Sequence, residues 1–179
     1  CTYDMDHDLG TNYYKRFMNF LDYVQKNDLS CTVTVTDVKG LRTLPPHKQP
    51  NKDSYIHVDE IRDDGIVVSG YKCNQTGILF AHEIIIVPTT NMKPEEKDFA
   101  LACAIPSDTP GLTFVLGRTP QDKRFFEVGG DIEGIDLGKP YADHQALVYF
   151  DKVFVPNDRV FMCGETEYVG RLLSYFTAV

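Results

Sequence analysis

The sequence lacks any apolar run approaching the roughly 20 residues a membrane-spanning helix requires. With 42% hydrophobic and 25% charged residues among 179, it reads as an ordinary globular chain. It also lacks a basic excess: 18 Lys and Arg stand against 26 Asp and Glu, for a net charge of −8. No basic face is therefore available to hold nucleic-acid phosphates, and neither nucleic acid nor membrane is an expected partner. Cysteine is sparse. Cys1, Cys31, Cys73, Cys103 and Cys163 are odd in number and contain no C-x-x-C pair, which argues against a disulfide framework and a self-contained zinc site. A reducing, cytoplasmic setting fits that usage. Three phosphate- or nucleophile-bearing patterns are missing as well: G-x-S-x-G, G-x-x-x-x-G-K-[ST] and G-x-G-x-x-G. The histidines (His7, His47, His57, His82, His144) never fall at the i, i+4 spacing that puts two on one helical face.

What is present divides by periodicity. Between Gly10 and Asp28, Tyr13, Phe17, Phe20, Leu21 and Val24 recur at spacings of three and four, with Lys15, Arg16, Asp22 and Lys26 opposite. That spacing predicts an amphipathic helix, capped by Thr11 or Asn12 and ended by Asn27-Asp28. The chain then turns to short runs of Val, Ile, Thr, Tyr and Phe separated by Gly, Pro, Asn and Asp, which predict strands near 31–37, 54–61, 65–72, 77–87, 99–106, 111–117 and 144–155. Asp64-Gly65 predicts a hairpin between the second and third. The second strand alternates poorly, so its inward face is not fixed by pattern. Two long loops are expected, Lys39 to Lys52 with three prolines and Gly117 to Pro140. From Gly170 onward, Leu172, Leu173, Tyr175 and Phe176 make a second helical stripe. The stripe meets no stop signal, and the chain opens on Cys1, so the pattern reads as an excised piece.

The resulting fold class is mainly β: an antiparallel barrel or sandwich with a helix at each end. Residues 1–29 form a helical segment, 30–160 the β domain and 161–179 the start of further helix. Catalytic sets are incomplete. His82-Glu83 lies in an expected strand, where neighbours point to opposite faces, so one inward and one outward is the expectation rather than a base with its orienting acid. Asp143-His144 opens a strand and suits a turn or cap. Composition and spacing thus stop at a β-rich domain without naming a reaction.

Particular stretches go further. Thr36-Asp37-Val38-Lys39-Gly40-Leu41-Arg42, Arg62-Asp63-Asp64-Gly65-Ile66-Val67-Val68-Ser69-Gly70, and Gln75-Thr76-Gly77 followed by His82-Glu83 form an ordered series. Phe150-Asp151-Lys152-Val153-Phe154-Val155-Pro156 and Arg159-Val160-Phe161-Met162-Cys163-Gly164-Glu165 continue it. Together they resemble the middle segment of the 4-hydroxybutyryl-CoA dehydratase / vinylacetyl-CoA Δ-isomerase family, which belongs with the 4-hydroxyphenylacetate 3-monooxygenase flavoproteins and is similar in fold to acyl-CoA dehydrogenases. The likeness runs from about Gly10 to Phe176. It implies an acyl-CoA dehydrogenase-like middle β domain between two helical domains, with FAD held among them and a homotetramer as the assembly.

The resemblance implies that Val35, Thr36, Asp37, Lys39 and Arg42, with the turn Gln75, Thr76 and Gly77, line the flavin. The physical fit is legible, since a flavin needs donors at its pyrimidine oxygens and near N5, and backbone N–H groups, two threonine hydroxyls and two cations can supply them. Thr76 is the group implied nearest N5. The implied reaction takes water from 4-hydroxybutyryl-CoA to give crotonyl-CoA, using the flavin for one-electron chemistry and a 4Fe-4S cluster as a Lewis acid whose ligands lie outside this chain. No cluster is transferred to the five cysteines here. Two positions depart from the family pattern: Gln145 and Leu41 stand where an acid is implied, and a glutamine cannot exchange a proton at neutral pH. An altered CoA substrate would follow. Two other readings stay open: the oxygenase component of a two-component aromatic hydroxylase, and a non-enzymatic binding module.

Overall fold

The computed structural model describes residues 1–117 and 144–177. The expected loop from Gly117 to Pro140 falls almost wholly outside the described residues. Two helices open the chain, α1 (Thr2–Leu9) and α2 (Tyr13–Lys26). Eight strands follow: β1 (Cys31–Thr34), β2 (His57–Ile61), β3 (Gly65–Thr76), β4 (Glu83–Ile86), β5 (Leu101–Pro106), β6 (Leu112–Leu116), β7 (Gln145–Pro156) and β8 (Val160–Cys163). Helix α3 (Thr166–Thr177) comes last.

The amphipathic helix is where its periodicity placed it, but its cap is not local. Asn12 holds the cap position without a side-chain bond. The Asp6 carboxylate accepts instead from the Tyr13 N–H at 2.7 Å, the Tyr14 N–H at 3.0 Å and the Thr11 hydroxyl at 2.6 Å, satisfying donors that a helix start leaves open. Helix α1, which the periodicity did not reveal, thus serves as the capping element of α2. Phe17 and Phe20 of α2 meet Phe161 of β8 at ring separations of 5.4 and 5.5 Å.

The strands form two four-stranded sheets, ordered β1-β4-β5-β8 and β2-β3-β7-β6. They face each other across a core that includes the fully buried Val68, Ile84, Ile86, Leu101, Val148, Phe150 and Val153. This is a sandwich, and no closed barrel forms among the described residues, which corrects that half of the expectation. A second correction concerns direction. Strands β1 and β4 pair parallel, Cys31 with Glu83 through Thr34 with Ile86, while the remaining pairs are antiparallel. The chain between them crosses to the other sheet for β2 and β3 and comes back in the same sense, the long crossover that a parallel pair requires.

The Asp-Gly hairpin closes as expected, with the Arg62 N–H donating to the Gly65 carbonyl at 2.8 Å. A bulge between Val58 and Glu60 accounts for the broken alternation of β2. The expected strand 77–87 shrinks to β4, because Gly77 turns at φ 72° into a short 3₁₀ turn, Ile78–Phe80. Conversely β3 runs on to Thr76, held against β7 down to the Thr76–Gln145 pair. The unforeseen strand β8 extends the first sheet to Cys163, beyond residue 160 where the pattern had turned to helix.

Candidate functional site

The parallel pairing of β1 and β4 makes both strands finish at one end of the sandwich, where Val35 to Asp37 and Val87 onward leave side by side. A lysine from the opposite sheet fastens them together. Lys72 of β3, wholly buried, donates from Nζ to the Val35 carbonyl at 2.7 Å and the Val87 carbonyl at 2.8 Å, and pairs with the Asp37 carboxylate at 2.9 Å. The carboxylate, 2% exposed, also accepts from the Ile56 N–H at 3.1 Å. Burial pushes the Asp37 carboxyl up and the Lys72 ammonium down, and the contact between them opposes both shifts.

The residues expected to line a cofactor converge around this pair. The Thr36 carbonyl accepts from the Cys73 N–H at 2.9 Å and from the Gln75 amide at 3.1 Å. Gln75, nearly buried, also gives its amide to the Cys73 carbonyl, so its side chain is spent on holding the Thr36 loop to β3. The Thr32 hydroxyl donates to the Thr76 carbonyl at 3.3 Å. Val35, Thr36, Asp37, Gln75, Thr76 and Gly77 are therefore brought together. Lys39 adjoins them at φ 69°, its N–H on the Ser54 carbonyl at 3.0 Å. Arg42 lines a polar cleft together with Tyr55 and residues 90–96.

Two features suit the first group to a flat heteroaromatic ligand. Thr76 is exposed and Thr36 half-buried, and neither hydroxyl makes a hydrogen bond among the described residues, which leaves two donors on offer. Beyond Gly77 there is open space, and apolar Val33, Val38 and Phe80 are exposed nearby in sequence at 38%, 42% and 68%. Hydroxyl donors beside exposed apolar surface match a flavin, whose ring is apolar on its faces and hydrogen-bonding along one edge. Opposite Thr76, in register on β7, stands Gln145, and the Gly77 N–H donates to the His144 carbonyl at 3.2 Å. His144 packs edge-on against Phe80 at 5.4 Å. His144 thus has a turn-holding role, while Asp143 lies outside the described residues.

His82, just before β4, and Glu83, its first residue, point to different surroundings. His82 is exposed and bonds Ser30 through Nδ1 at 2.8 Å, whereas Glu83 is buried and binds Arg159 at 2.7 Å. All five cysteines are free, and among the described residues no three His, Cys, Asp or Glu side chains converge on a metal position. Sequence reasoning missed Lys72. Its signal was available, because Ile66, Val68, Gly70 and Lys72 share the inward face of one strand, and an inward lysine demands a buried partner.

The chain matches the family described as 4-hydroxyphenylacetate 3-hydroxylase N terminal over residues 1–162. It belongs to that family. Among curated relatives, the 4-hydroxybutyryl-CoA dehydratase/vinylacetyl-CoA-Delta-isomerase of Clostridium aminobutyricum is 46% identical over 98% of this chain and 35% of its own length. An archaeal 4-hydroxybutyryl-CoA dehydratase from N. maritimus superposes with a TM-score of 0.86 at 38% identity, covering 98% of this chain and 35% of that one. The oxygenase component of 4-hydroxyphenylacetate 3-monooxygenase, solved with FAD, superposes at 0.75 with 30% identity over 97% of this chain and 35% of that one. The chain therefore spans about a third of the length of the relatives it matches. No helix among the described residues is long and apolar enough to cross a membrane.

Proposed function

We propose that this chain is the central FAD- and acyl-CoA-contacting part of a dehydratase that converts 4-hydroxybutyryl-CoA to crotonyl-CoA and isomerises vinylacetyl-CoA. The observation that carries the reading is the gradient of likeness: 46% identity over 98% of the chain and a TM-score of 0.86 for the dehydratases, against 33% and 37% identity over 90% and 83% of the chain and a TM-score of 0.75 for oxygenase components. In this reading residues 1–29 end one helical domain, 30–160 form the acyl-CoA dehydrogenase-like middle domain and 161–179 open the next, in a cytoplasmic homotetramer.

Thr36 and Thr76, with the backbone of Val35 to Asp37 and Gln75 to Gly77, hold the flavin edge, and Lys39 adds a cation beside it. The flavin, when bound, supplies one-electron chemistry to the acyl chain. The chain's own contribution is positional: Gln75 and Lys72 fix the threonine-bearing loops, and the sheet face excludes water from one side of the ring. Gln145, opposite Thr76, can donate and accept hydrogen bonds but cannot take a proton, so it orients substrate and the proton acceptor lies elsewhere. A 4Fe-4S cluster completes the site from ligands beyond this chain.

The test is anaerobic purification of the full-length protein, with visible absorbance, iron assay and turnover of 4-hydroxybutyryl-CoA. Flavin with about four irons per subunit and crotonyl-CoA as product supports the reading. Iron-free protein that hydroxylates 4-hydroxyphenylacetate when given reduced flavin replaces it with the oxygenase alternative. That alternative is supported by the FAD-bound oxygenase relative.

A further inference from the structure

The turn that follows Thr76 is held at few points. Gly77 bends the chain at φ 72° with open space around its Cα, and of the three residues after it Ile78 alone is buried, at 1% exposure. Packing therefore anchors the middle of the turn and leaves its two ends to hydrogen bonds. At the near end the Thr76 carbonyl accepts from the Thr32 hydroxyl at 3.3 Å, and the Gly77 N–H donates to the His144 carbonyl at 3.2 Å. At the far end the Phe80 carbonyl accepts from the Ser30 hydroxyl at 3.0 Å, while the Phe80 N–H closes the turn on the Gly77 carbonyl at 3.0 Å.

Ser30 is exposed and stands one residue ahead of β1, so its own position has to be secured. His82 secures it. The His82 N–H donates to the Ser30 carbonyl at 2.9 Å, and the imidazole Nδ1 accepts from the Ser30 N–H at 3.1 Å, with the Ser30 Oγ 2.8 Å away. The side chain thus adds one rung beyond Cys31 and Glu83, the first pair of the parallel seam. Accepting from an N–H at Nδ1 places the ring proton on Nε2. On its other side the His82 carbonyl accepts from the Ser107 N–H at 2.9 Å, just past β5. The imidazole is therefore carried on backbone fixed from both neighbouring strands.

We infer that His82 is a positioning residue for the proposed flavin site: acting through Ser30, it sets the turn from Gly77 to Phe80 and with it the direction in which Thr76 offers its hydroxyl. A donor contributes to binding when it is held in line with its acceptor, and a turn released at one end spreads that donor over several directions. The inference rests on the flavin-using reading above and adds to it a residue that does not itself touch the ligand.

The test is titration of the flavin-stripped full-length protein with FAD, joined to hydrogen exchange and to the visible spectrum of the bound flavin. Ser30 and His82 are both exposed, so truncating either opens no cavity in the core. His82→Leu should raise the Kd for FAD roughly 2- to 12-fold, shift the flavin absorption maxima and speed exchange of the Phe80 amide. Ser30→Ala should do the same. His82→Asn, whose Oδ1 takes the place of Nδ1, should restore all three. In a Thr76→Val background, His82→Leu should leave Kd and spectrum where Thr76→Val puts them, because its effect runs through that hydroxyl. An equal further loss in both backgrounds overturns the inference. FAD bound equally by wild type and His82→Leu also overturns it and leaves the flavin reading standing. A full-length protein that binds no FAD in any variant overturns the flavin reading and this inference with it.

Discussion

Replacing Lys72 by methionine tests the idea that one buried ammonium holds the strand ends at the site. The substitution removes three contacts at once, to Asp37 at 2.9 Å, the Val35 carbonyl at 2.7 Å and the Val87 carbonyl at 2.8 Å. It strands a carboxylate that is 2% exposed with only the Ile56 N–H for company. Leaving one member of a buried pair charged costs about 3–5 kcal/mol. Asp37→Asn costs less, about 2–3 kcal/mol, because its side-chain oxygen still accepts from Ile56 while the ammonium keeps two carbonyls. The double variant carries no buried charge, and the new amide can donate to a neighbouring carbonyl. It is expected to be no worse than Lys72→Met alone, a coupling of about 2–3 kcal/mol. A domain of this size loses about 2–4 °C per kcal/mol, so thermal unfolding followed by circular dichroism on the full-length protein should show Lys72→Met falling by roughly 6–20 °C. A double variant that falls by the sum of the two singles would refute the reasoning, because the charges would then not be interacting.

Other consequences are as direct. Arg159→Ala leaves the buried Glu83 without its 2.7 Å partner and strips a cation from over Phe20 and Tyr23, at 5.2 and 5.0 Å. A loss of about 3–5 kcal/mol is expected, and unfolding within 0.5 kcal/mol of wild type would contradict it. Asp6→Ala uncaps α2 and should cost about 1 kcal/mol, with the change in hydrogen exchange concentrated at the amides of Tyr13 and Tyr14. Thr76→Val removes one donor from the proposed flavin edge; a rise in the Kd for FAD of roughly 2- to 12-fold is expected in equilibrium titration, and an unchanged Kd moves the contact elsewhere. Burial pushes the Cys163 thiol up to about 11 and Cys103 higher still, so at pH 8 the thiolate of Cys163 is roughly a thousandth of the total. Mass spectrometry after iodoacetamide treatment should find both unlabelled until urea is added, with labelling rising as pH is raised.

Local signals carried much of the architecture. The stripe from Tyr13 to Val24 and the Asp64-Gly65 turn rest on interactions within a few residues, and both stand where the sequence put them. Non-local choices were not legible. Nothing near Cys31 says that its partner is Glu83 or that the two run parallel, since that follows from where the intervening hairpin packs. Strand β8 is four residues long and follows directly on a 3₁₀ turn, too short for alternation to register. The cap of α2 lies seven residues upstream of Tyr13, outside the usual capping window. At the site, the meeting of the Thr36 loop with Gln75 was legible only through family resemblance, because 39 residues separate the two. The placement of Arg42 on the polar cleft was not legible either, because it depends on the turn that Gln49 holds through Leu41 and Leu44.

The Lys72 contacts bear on motion as well as on position. One ammonium grips the first carbonyl beyond each of two parallel strands, Val35 after β1 and Val87 after β4, so neither outgoing loop can lift without breaking a bond to the group that also restrains the other. Opening of the Thr36 loop and of the segment beyond Val87 becomes a single event with a shared free energy, and their slow-exchanging amides should report one rate. The two loops, one carrying Thr36 and the other Asn91 and Lys93, would in that case breathe in concert, so that whatever stiffens one quiets the other.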